Sequence, residues 1–534
     1  MIKFSKKYRY ILSILSGILL TISFPYTGGL AVLAFVAWIP LLLVEASISK
    51  ENYRSRKVFT HALITFIIYN IGTTWWIVYA STEGAFMAFI ANTLIMSLVF
   101  YLFHYTKKWV GSKEGYFSLL FYWIGFEYFH YNWESSWPWL TLGNTFSNLP
   151  SWIQWYSYSG TLGGTLWVLC INLLLFRACQ NVFIKGEKWK IQTPFFYLSG
   201  LFLILPLTIS LSMYYSYVEE KRPVEVVAIQ PNIDPYKDKF STGLYKQLDK
   251  VFDLANQKIT KNTALIVAPE TSISSSFYEE DFWRLSLYQY LINTKSKLND
   301  IPICIGASTM KNFKNKNSSA SMKNVGGPGF YESYNTSVFI NKNNEVGFIH
   351  KSKLVPGVEI IPFASHFSFL EDLSIDLGGS RGTLGTEKEP MVFATDHFKF
   401  APVICYESIY GEFVAEQCRK GAEIICILTN DGWWKNTPGY KQHNSFASIR
   451  AIENRRSVVR SANTGTSCFI NQRGDISQDT KWWTADVIKG KLNLNKKLTF
   501  YTIYGDVIGR SFSFVSFFLL LFSFVKHFKK YTNK

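Results

Sequence analysis

The sequence predicts a polytopic α-helical membrane bundle joined to an α/β layered domain. Three observations carry that prediction. Seven apolar runs precede residue 220 and an eighth lies near the C-terminus, each close to the roughly 17–25 residues that span a bilayer. From about Arg222 the pattern changes to short β-branched runs alternating with amphipathic segments, the mark of mixed strands and helices. Charged residues make up only 17% of the 534-residue chain against 48% apolar, which is more apolar side chain than one soluble core needs.

The apolar runs lie near 9–26, 29–47, 59–80, 84–105, 115–130, 161–178, 195–215 and 507–525. The first is short and follows a basic stretch, as in a secretory leader, but no small-x-small cleavage site follows it. Phe24-Pro25-Tyr26-Thr27-Gly28-Gly29 reads instead as a tight turn into a second helix, so a retained helix is expected. Lys and Arg give the orientation. The N-terminus carries Lys3, Lys6, Lys7 and Arg9, and the second loop Lys50, Arg54, Arg56 and Lys57. Lys107, Lys108 and Lys113 follow in the fourth loop, Arg177, Lys185, Lys188 and Lys190 in the sixth, and Lys526, Lys529, Lys530 and Lys534 in the tail. The alternate loops, near 27–28, 81–83 and 131–160, hold none. Both termini are therefore expected in the cytoplasm, with the domain between helices seven and eight outside. Expected boundaries are 1–220 for seven helices, 221–500 for the extracytoplasmic domain and 501–534 for the last helix and tail.

The net charge of +17 could suggest nucleic acid, but much of the basic excess sits in those loops, so no nucleic-acid partner is expected. Seven cysteines without a C-x-x-C pair, and eight scattered histidines, give no support to a disulfide framework or a metal site. The 131–160 segment, with Trp133, Trp137, Trp139, Trp152, Trp155, Tyr156 and Tyr158, reads as an interfacial belt that also dips beneath the domain. The helices show few ionisable groups, Glu127 the clearest, which weakens a transporter reading. The Lys/Asn/Ser/Gly-rich segment 311–329 reads as an exposed, mobile insertion.

Three segments of the second half carry chemistry. Ile266-Val267-Ala268-Pro269-Glu270 is a buried strand ending in a carboxylate, and His350-Lys351-Ser352-Lys353 follows another strand. Pro402-Val403-Ile404-Cys405-Tyr406-Glu407 is a strand ending in cysteine just before a helix. A thiol at a helix N-terminus feels the positive end of the helix dipole, which favours thiolate, and the first amides suit an oxyanion. Alone, each residue has a bland reading: a small buried hydrophobe, a carboxylate after a strand, a solvated lysine. That bland reading holds for Cys170, Cys179, Cys304, Cys418, Cys426 and Cys468.

Glu, Lys and Cys in this order and these contexts resemble the nitrilase superfamily over roughly 222–490. Gln230-Pro231-Asn232, Tyr334-Asn335-Thr336, Thr429-Asn430-Asp431-Gly432-Trp433-Trp434, Gln442-His443, Arg450 to Arg456 and Asn463-Thr464-Gly465 agree with it. With seven helices before and one after, and with Phe24-Pro25, Glu127, Trp137-Pro138-Trp139-Leu140 and Tyr504-Gly505-Asp506, the whole chain resembles the apolipoprotein N-acyltransferase family. That resemblance implies an αββα sandwich and a Glu270–Lys351–Cys405 triad, with Glu359, Tyr406 and Glu407 in support and no cofactor. It implies acyl transfer from a phospholipid such as phosphatidylethanolamine, through a Cys405 thioester, to the N-terminal diacylglyceryl-cysteine of a lipoprotein at the inner (cytoplasmic) membrane. Where the family has Pro-Phe-Gly-Glu, this chain has Pro356-Gly357-Val358-Glu359, which keeps the Lys351-to-Glu359 spacing but predicts a different turn. Phe363, Phe367 and Phe369 are expected either in an apolar lid or packed on the core. A membrane-tethered amidase with water as acceptor, and a transporter or scaffold with a degenerate domain, are the rival readings.

Overall fold

The computed structural model describes residues 4–239, 241–324, 327–363 and 383–532. Phe367 and Phe369 therefore lie outside the described residues. The chain divides into two compact units, one of residues 1–78, 85–216 and 506–534, the other of 79–84 and 217–505.

The first unit is helical: α1 (Lys6–Ser23), α2 (Ile39–Lys50), α3 (Arg56–Thr74), α4 (Thr82–Val110), α5 (Ser112–His130), α6 (Tyr156–Phe183), α7 (Thr193–Ser216) and the C-terminal helix Val507–Thr532. Each of the eight apolar runs folds as a helix. Six of them are long and apolar enough to cross a bilayer. The other two carry three Lys, Arg or Glu residues each: Lys6, Lys7 and Arg9 in α1, and Lys113, Glu114 and Glu127 in α5. Exposed Leu201 and Ile204 on α7 show the face that bilayer contact requires.

Two details differ from the sequence-based expectation. The aromatic segment is not an open belt: Trp139 and Phe146 are fully buried within the unit, in short 3₁₀ turns (Pro138–Leu140, Leu142–Phe146). Glu127 anchors it, accepting from Trp123 Nε1 (3.0 Å), the Leu142 amide (2.9 Å) and Thr165 Oγ1 (2.6 Å). The helices also hold a second buried carboxylate, Glu45, which meets His104 and Lys107 of α4. Residues 59 and 62 positions apart give no local signal of such a cluster.

The second unit is an αββα sandwich. Its first sheet runs β14-β1-β2-β4-β6-β5, with β3 beside β4 and β7 beside β6; its second runs β13-β12-β11-β10-β9-β8. In the first, β1 (Pro223–Gln230), β2 (Thr263–Val267), β3 (Ile273–Tyr278) and β4 (Ile303–Phe313) precede β5 (Met322–Lys323), β6 (Phe330–Ile340) and β7 (Val346–His350), and β14 (Asp486–Asn493) closes it. The second sheet has parallel β9 (Lys399–Ile404), β10 (Ile424–Thr429) and β11 (Ser457–Ala462), flanked by β8 (Phe393–Ala394), β12 (Cys468–Ile470) and β13 (Ile476–Ser477). Strand alternation builds two cores at once. Val226 and Ala228 of β1 face the second sheet, against Phe400, Cys426 and Val459. Val227 and Ile229 face the outer layer, α8 (Leu244–Asn256) and α9 (Ser286–Lys297), through Leu248, Val251 and Leu291. On the other side α10 (Gly411–Arg419) and α11 (Pro438–Asn454) cover β9, β11 and β12. The described part of the 311–329 segment is largely exposed, as expected, but is tied to the sheet. It extends β4, adds β5 to β6, and has Asn317, Ser318 and Ser321 hydrogen-bonded to buried Glu332.

Candidate functional site

The carboxyl ends of strands from both sheets meet at one place, as ligand sites do in layered α/β folds. Glu270 follows β2. The ladder continues past the strand, with Ala268 N donating to Cys304 O (2.8 Å) and Gly306 N to Pro269 O (3.2 Å), so the carboxylate leaves a rigid stem. Gly306 permits this approach: a Cβ there would lie 2.5–2.7 Å from Thr271 N, Glu270 Cα and Pro269 O. Lys351 follows β7, and its amide donates to Asn335 O of β6 (2.8 Å). Cys405 follows β9 and Asn430 follows β10.

Glu270, Lys351 and Cys405 are all buried and line one cavity of about 200 Å³, together with Glu359, Lys239 and Trp433. Lys351 Nζ donates to Glu359 Oε1 (2.9 Å) and, at 3.4 Å, to Glu270 Oε1. Asn335 Nδ2 bridges the same two carboxylates, 2.8 Å from Glu270 and 3.1 Å from Glu359. The changed Pro356-Gly357-Val358 turn still delivers Glu359. Gly357 takes φ +82°, and the second Glu359 oxygen accepts from the Val355 amide (2.9 Å). Burial opposes the Lys351 charge, yet the Glu359 and Glu270 carboxylates overcome it and hold the ammonium well above its usual range.

Cys405 stands at a strained elbow, φ +50°, where a Cβ-bearing residue is uncommon. Here the dipole argument fails. The following helix is a five-residue 3₁₀ turn, Cys405–Ile409, and burial pushes the thiol well up; the Glu270 carboxylate adds to the shift while Lys351 opposes it. Burial and the Glu270 charge thus favour the protonated form of Cys405, with Glu270 in the same cavity as the nearby carboxylate base. Glu407 sits behind the elbow, its oxygens accepting from the amides of Ser352 (2.6 Å) and Ile404 (2.8 Å), so it ties the Lys351 loop to the Cys405 strand. Burial lifts its carboxyl to about 7, against those amide bonds. Tyr406 is buried edge-on to Tyr410, ring centres 5.4 Å apart.

Sequence reasoning assigned no role to several residues that the fold brings here. His443 of α11 points Nε2 at the Cys405 carbonyl (3.1 Å) and at Ser408 Oγ (2.9 Å), and Ser408 Oγ itself donates to that carbonyl (2.8 Å). Asp431 holds His443 Nδ1 (2.9 Å) and is held by Arg460 (2.6 Å) and Thr429 (3.0 Å). Burial would raise the Asp431 carboxyl, but Arg460 and His443 bring it below its usual range. This network pins the carbonyl of the strained residue. Asp431 and His443 lie on different elements, a short 3₁₀ turn (Asp431–Trp434) and α11, so no periodicity within one element announced the pair. Asn430 lines the cavity with a buried Nδ2 that has no hydrogen-bond partner among the described residues. Among the described residues no group of His, Cys, Asp and Glu is arranged to hold a metal ion.

Comparison with known proteins agrees with this geometry. The carbon-nitrogen hydrolase family model matches residues 226–497, and the apolipoprotein N-acyltransferase N-terminal domain model matches residues 16–174. The chain is 29% identical over 519 residues to an apolipoprotein N-acyltransferase of Chlorobaculum tepidum, covering 93% of each chain. It is 26% identical to one of Geobacter metallireducens over 93% of this chain and 92% of the relative. It is 24% identical to one of Haemophilus influenzae, over 100% and 98%. The chain belongs to the carbon-nitrogen hydrolase family, in the branch that carries the apolipoprotein N-acyltransferase N-terminal domain.

Proposed function

We propose that this protein N-acylates the N-terminal diacylglyceryl-cysteine of lipoproteins, taking the acyl chain from a membrane phospholipid through a thioester on Cys405. The observation that carries the reading is a buried Cys405 sharing one cavity with Glu270 and Lys351, in a chain that also has six bilayer-length apolar helices. The names of its relatives point the same way.

Glu270 takes the thiol proton as Cys405 Sγ attacks the ester carbonyl. The developing oxyanion meets the Lys351 ammonium and the spare Asn430 Nδ2. Glu270 passes its proton to the glycerol oxygen of the departing lysophospholipid. In the second half-reaction the lipoprotein α-amine attacks the thioester, Glu270 accepts the amine proton, and the sulfur leaves to be reprotonated. Glu359 and Asn335 keep Lys351 and Glu270 aimed, and Glu407 and Tyr406 hold the elbow. Both substrates are bilayer-anchored, so an active site on the outer face of the inner membrane, with both termini cytoplasmic, spares the extraction of acyl chains. Extraction would cost about 0.8 kcal/mol per methylene.

The test is the intact mass of purified protein incubated with phosphatidylethanolamine, wild type against Cys405→Ala. A fatty-acyl adduct on wild type, absent from the variant and discharged by a diacylated lipopeptide, is expected. Discharge by water alone at the same rate would favour the amidase reading. Absence of any adduct on folded protein would sink the phospholipid route.

A further inference from the structure

The cavity holds more hydrogen-bond donors than acyl transfer to and from Cys405 uses. Lys239 lies in the segment between β1 and α8, fixed by Gln247 Nε2 donating to its carbonyl (2.8 Å). Its side chain is only 5% exposed, lines the cavity and donates to the Thr271 hydroxyl. Unlike Lys351, it forms no ion pair with a carboxylate among the described residues. Glu270, the carboxylate that acts on it electrostatically, is already engaged by Lys351 and Asn335. Burial lowers this ammonium to about 8, against the pull of Glu270 and Cys405, as expected of a buried cation awaiting a counter-charge.

Hydroxyls complete the wall. Ser274 and Ser276 of β3, Ser308 of β4 and Ser333 of β6 line the same cavity, and none of these four side chains hydrogen-bonds within the described protein. Register groups two of them, since Ser308 lies opposite Asn335, two residues from Ser333; Ser274 and Ser276 lie where the β3–β4 register shifts, between Ile273 opposite Ala307 and Phe277 opposite Thr309. Ser308, Asn335 and Ser333 thus share the sheet face from which Asn335 reaches Glu270. An ammonium beside free hydroxyls is a set of donors seeking an anionic oxygen. The lipoprotein acceptor brings an α-amine, which a second ammonium would repel. A phospholipid donor brings a phosphodiester a few bonds from its reacting ester.

We propose that Lys239, with the hydroxyls of Ser274 and Ser308, forms an anion subsite that seats the phosphodiester of the acyl donor, an inference that rests on the acyltransferase reading above. The subsite discriminates phospholipid from neutral esters of the same acyl chain, and empties when the lysophospholipid leaves.

The test compares Cys405 acylation rates, read by intact mass on the full-length protein. The two donors are phosphatidylethanolamine and p-nitrophenyl palmitate, an uncharged ester. Lys239→Met is expected to lower the ratio of the two rates by roughly 10–100-fold, the worth of a charge-assisted hydrogen bond. Lys239→Arg should restore most of that ratio. If Lys239→Met folds poorly, the Ser274→Ala/Ser308→Ala double variant should lower the same ratio by roughly threefold or more. An equal loss with both donors, or a ratio unchanged in every variant, overturns the subsite. Wild type that reacts with the p-nitrophenyl ester but not with phosphatidylethanolamine overturns the phospholipid reading instead.

Discussion

The protein buries two clusters of carboxylate and lysine, one in each unit, and they behave differently. In the helical unit Glu45 is fully enclosed and saturated. His104 Nδ1 (2.6 Å) and Ser49 Oγ (2.8 Å) take one oxygen, and Lys107 and Tyr116 take the other. In the α/β unit Lys351 is as deeply buried, but Glu270 and Glu359 keep 9% and 13% side-chain exposure, face a cavity and stand beside left-handed residues, Thr271 (φ +47°) and Cys405 (φ +50°). Burial and pairing are common to both. The strained backbone and an open cavity lined by polar groups without partners among the described residues, Asn430 Nδ2 and the serine hydroxyls, belong to the second, whereas the unpartnered His104 Nε2 of the first is enclosed. A closed ionic cluster braces a fold, while an open one held by a strained elbow is prepared for a reacting group.

Three perturbations sharpen this contrast. The largest effect is expected for Glu270→Gln. Loss of the base should slow Cys405 acylation by roughly 10³-fold. The Glu270 charge holds the thiol up, so its removal should move the pH at which iodoacetamide alkylates Cys405 downward. An upward move would mean that Glu270 does not hold the thiol. Next is His443→Gln, or Asp431→Asn, which releases the Cys405 carbonyl without touching substrate. The turnover number should fall by roughly 10²-fold while KM for the lipid donor stays within about a factor of two. A change in KM alone would remove His443 from its positioning role. The smallest effect on chemistry is expected for Glu45→Gln. It leaves Lys107 without its buried counter-charge and should cost about 3–5 kcal/mol, read as a lower Tm of the solubilised protein. Acylation per folded molecule should be unchanged, and a parallel loss of activity would abolish the distinction between bracing and reacting clusters.

What the sequence disclosed follows from the range of each signal. Apolar runs announce helices within themselves, and all eight folded where the hydropathy placed them. Glu270, Lys351 and Cys405 sit immediately after strands, so their positions were legible from neighbours in the chain. Lys239 was not: in Tyr236-Lys237-Asp238-Lys239 it reads as a surface lysine, and only the return of the chain to Thr271 buries it. The His443–Asp431 pair and the Glu45 cluster are tertiary facts of the same kind. β3, with Ser274-Ser275-Ser276 at its centre, and β14, with Lys489 and Lys491, lack the apolar alternation that would mark them as strands. The helix dipole expected at Cys405 was overstated because the element that follows is a five-residue 3₁₀ turn, and burial, which acts through the whole fold, pushes the thiol the other way.

The pairing of β1 with β14 has a consequence for how such a chain is assembled. Pro223 lies opposite Asn493, and the two strands run antiparallel from there to Gln230 opposite Asp486. Entry and exit of the α/β unit are thus about 5 Å apart, the spacing of facing residues in an antiparallel pair. A unit whose ends meet behaves like a bead clipped onto a thread: it can be inserted between two helices, or lost from between them, without stretching the path of the thread. The same doorway leaves the β1 edge unpaired until residue 493 has been synthesised, shortly before the C-terminal helix.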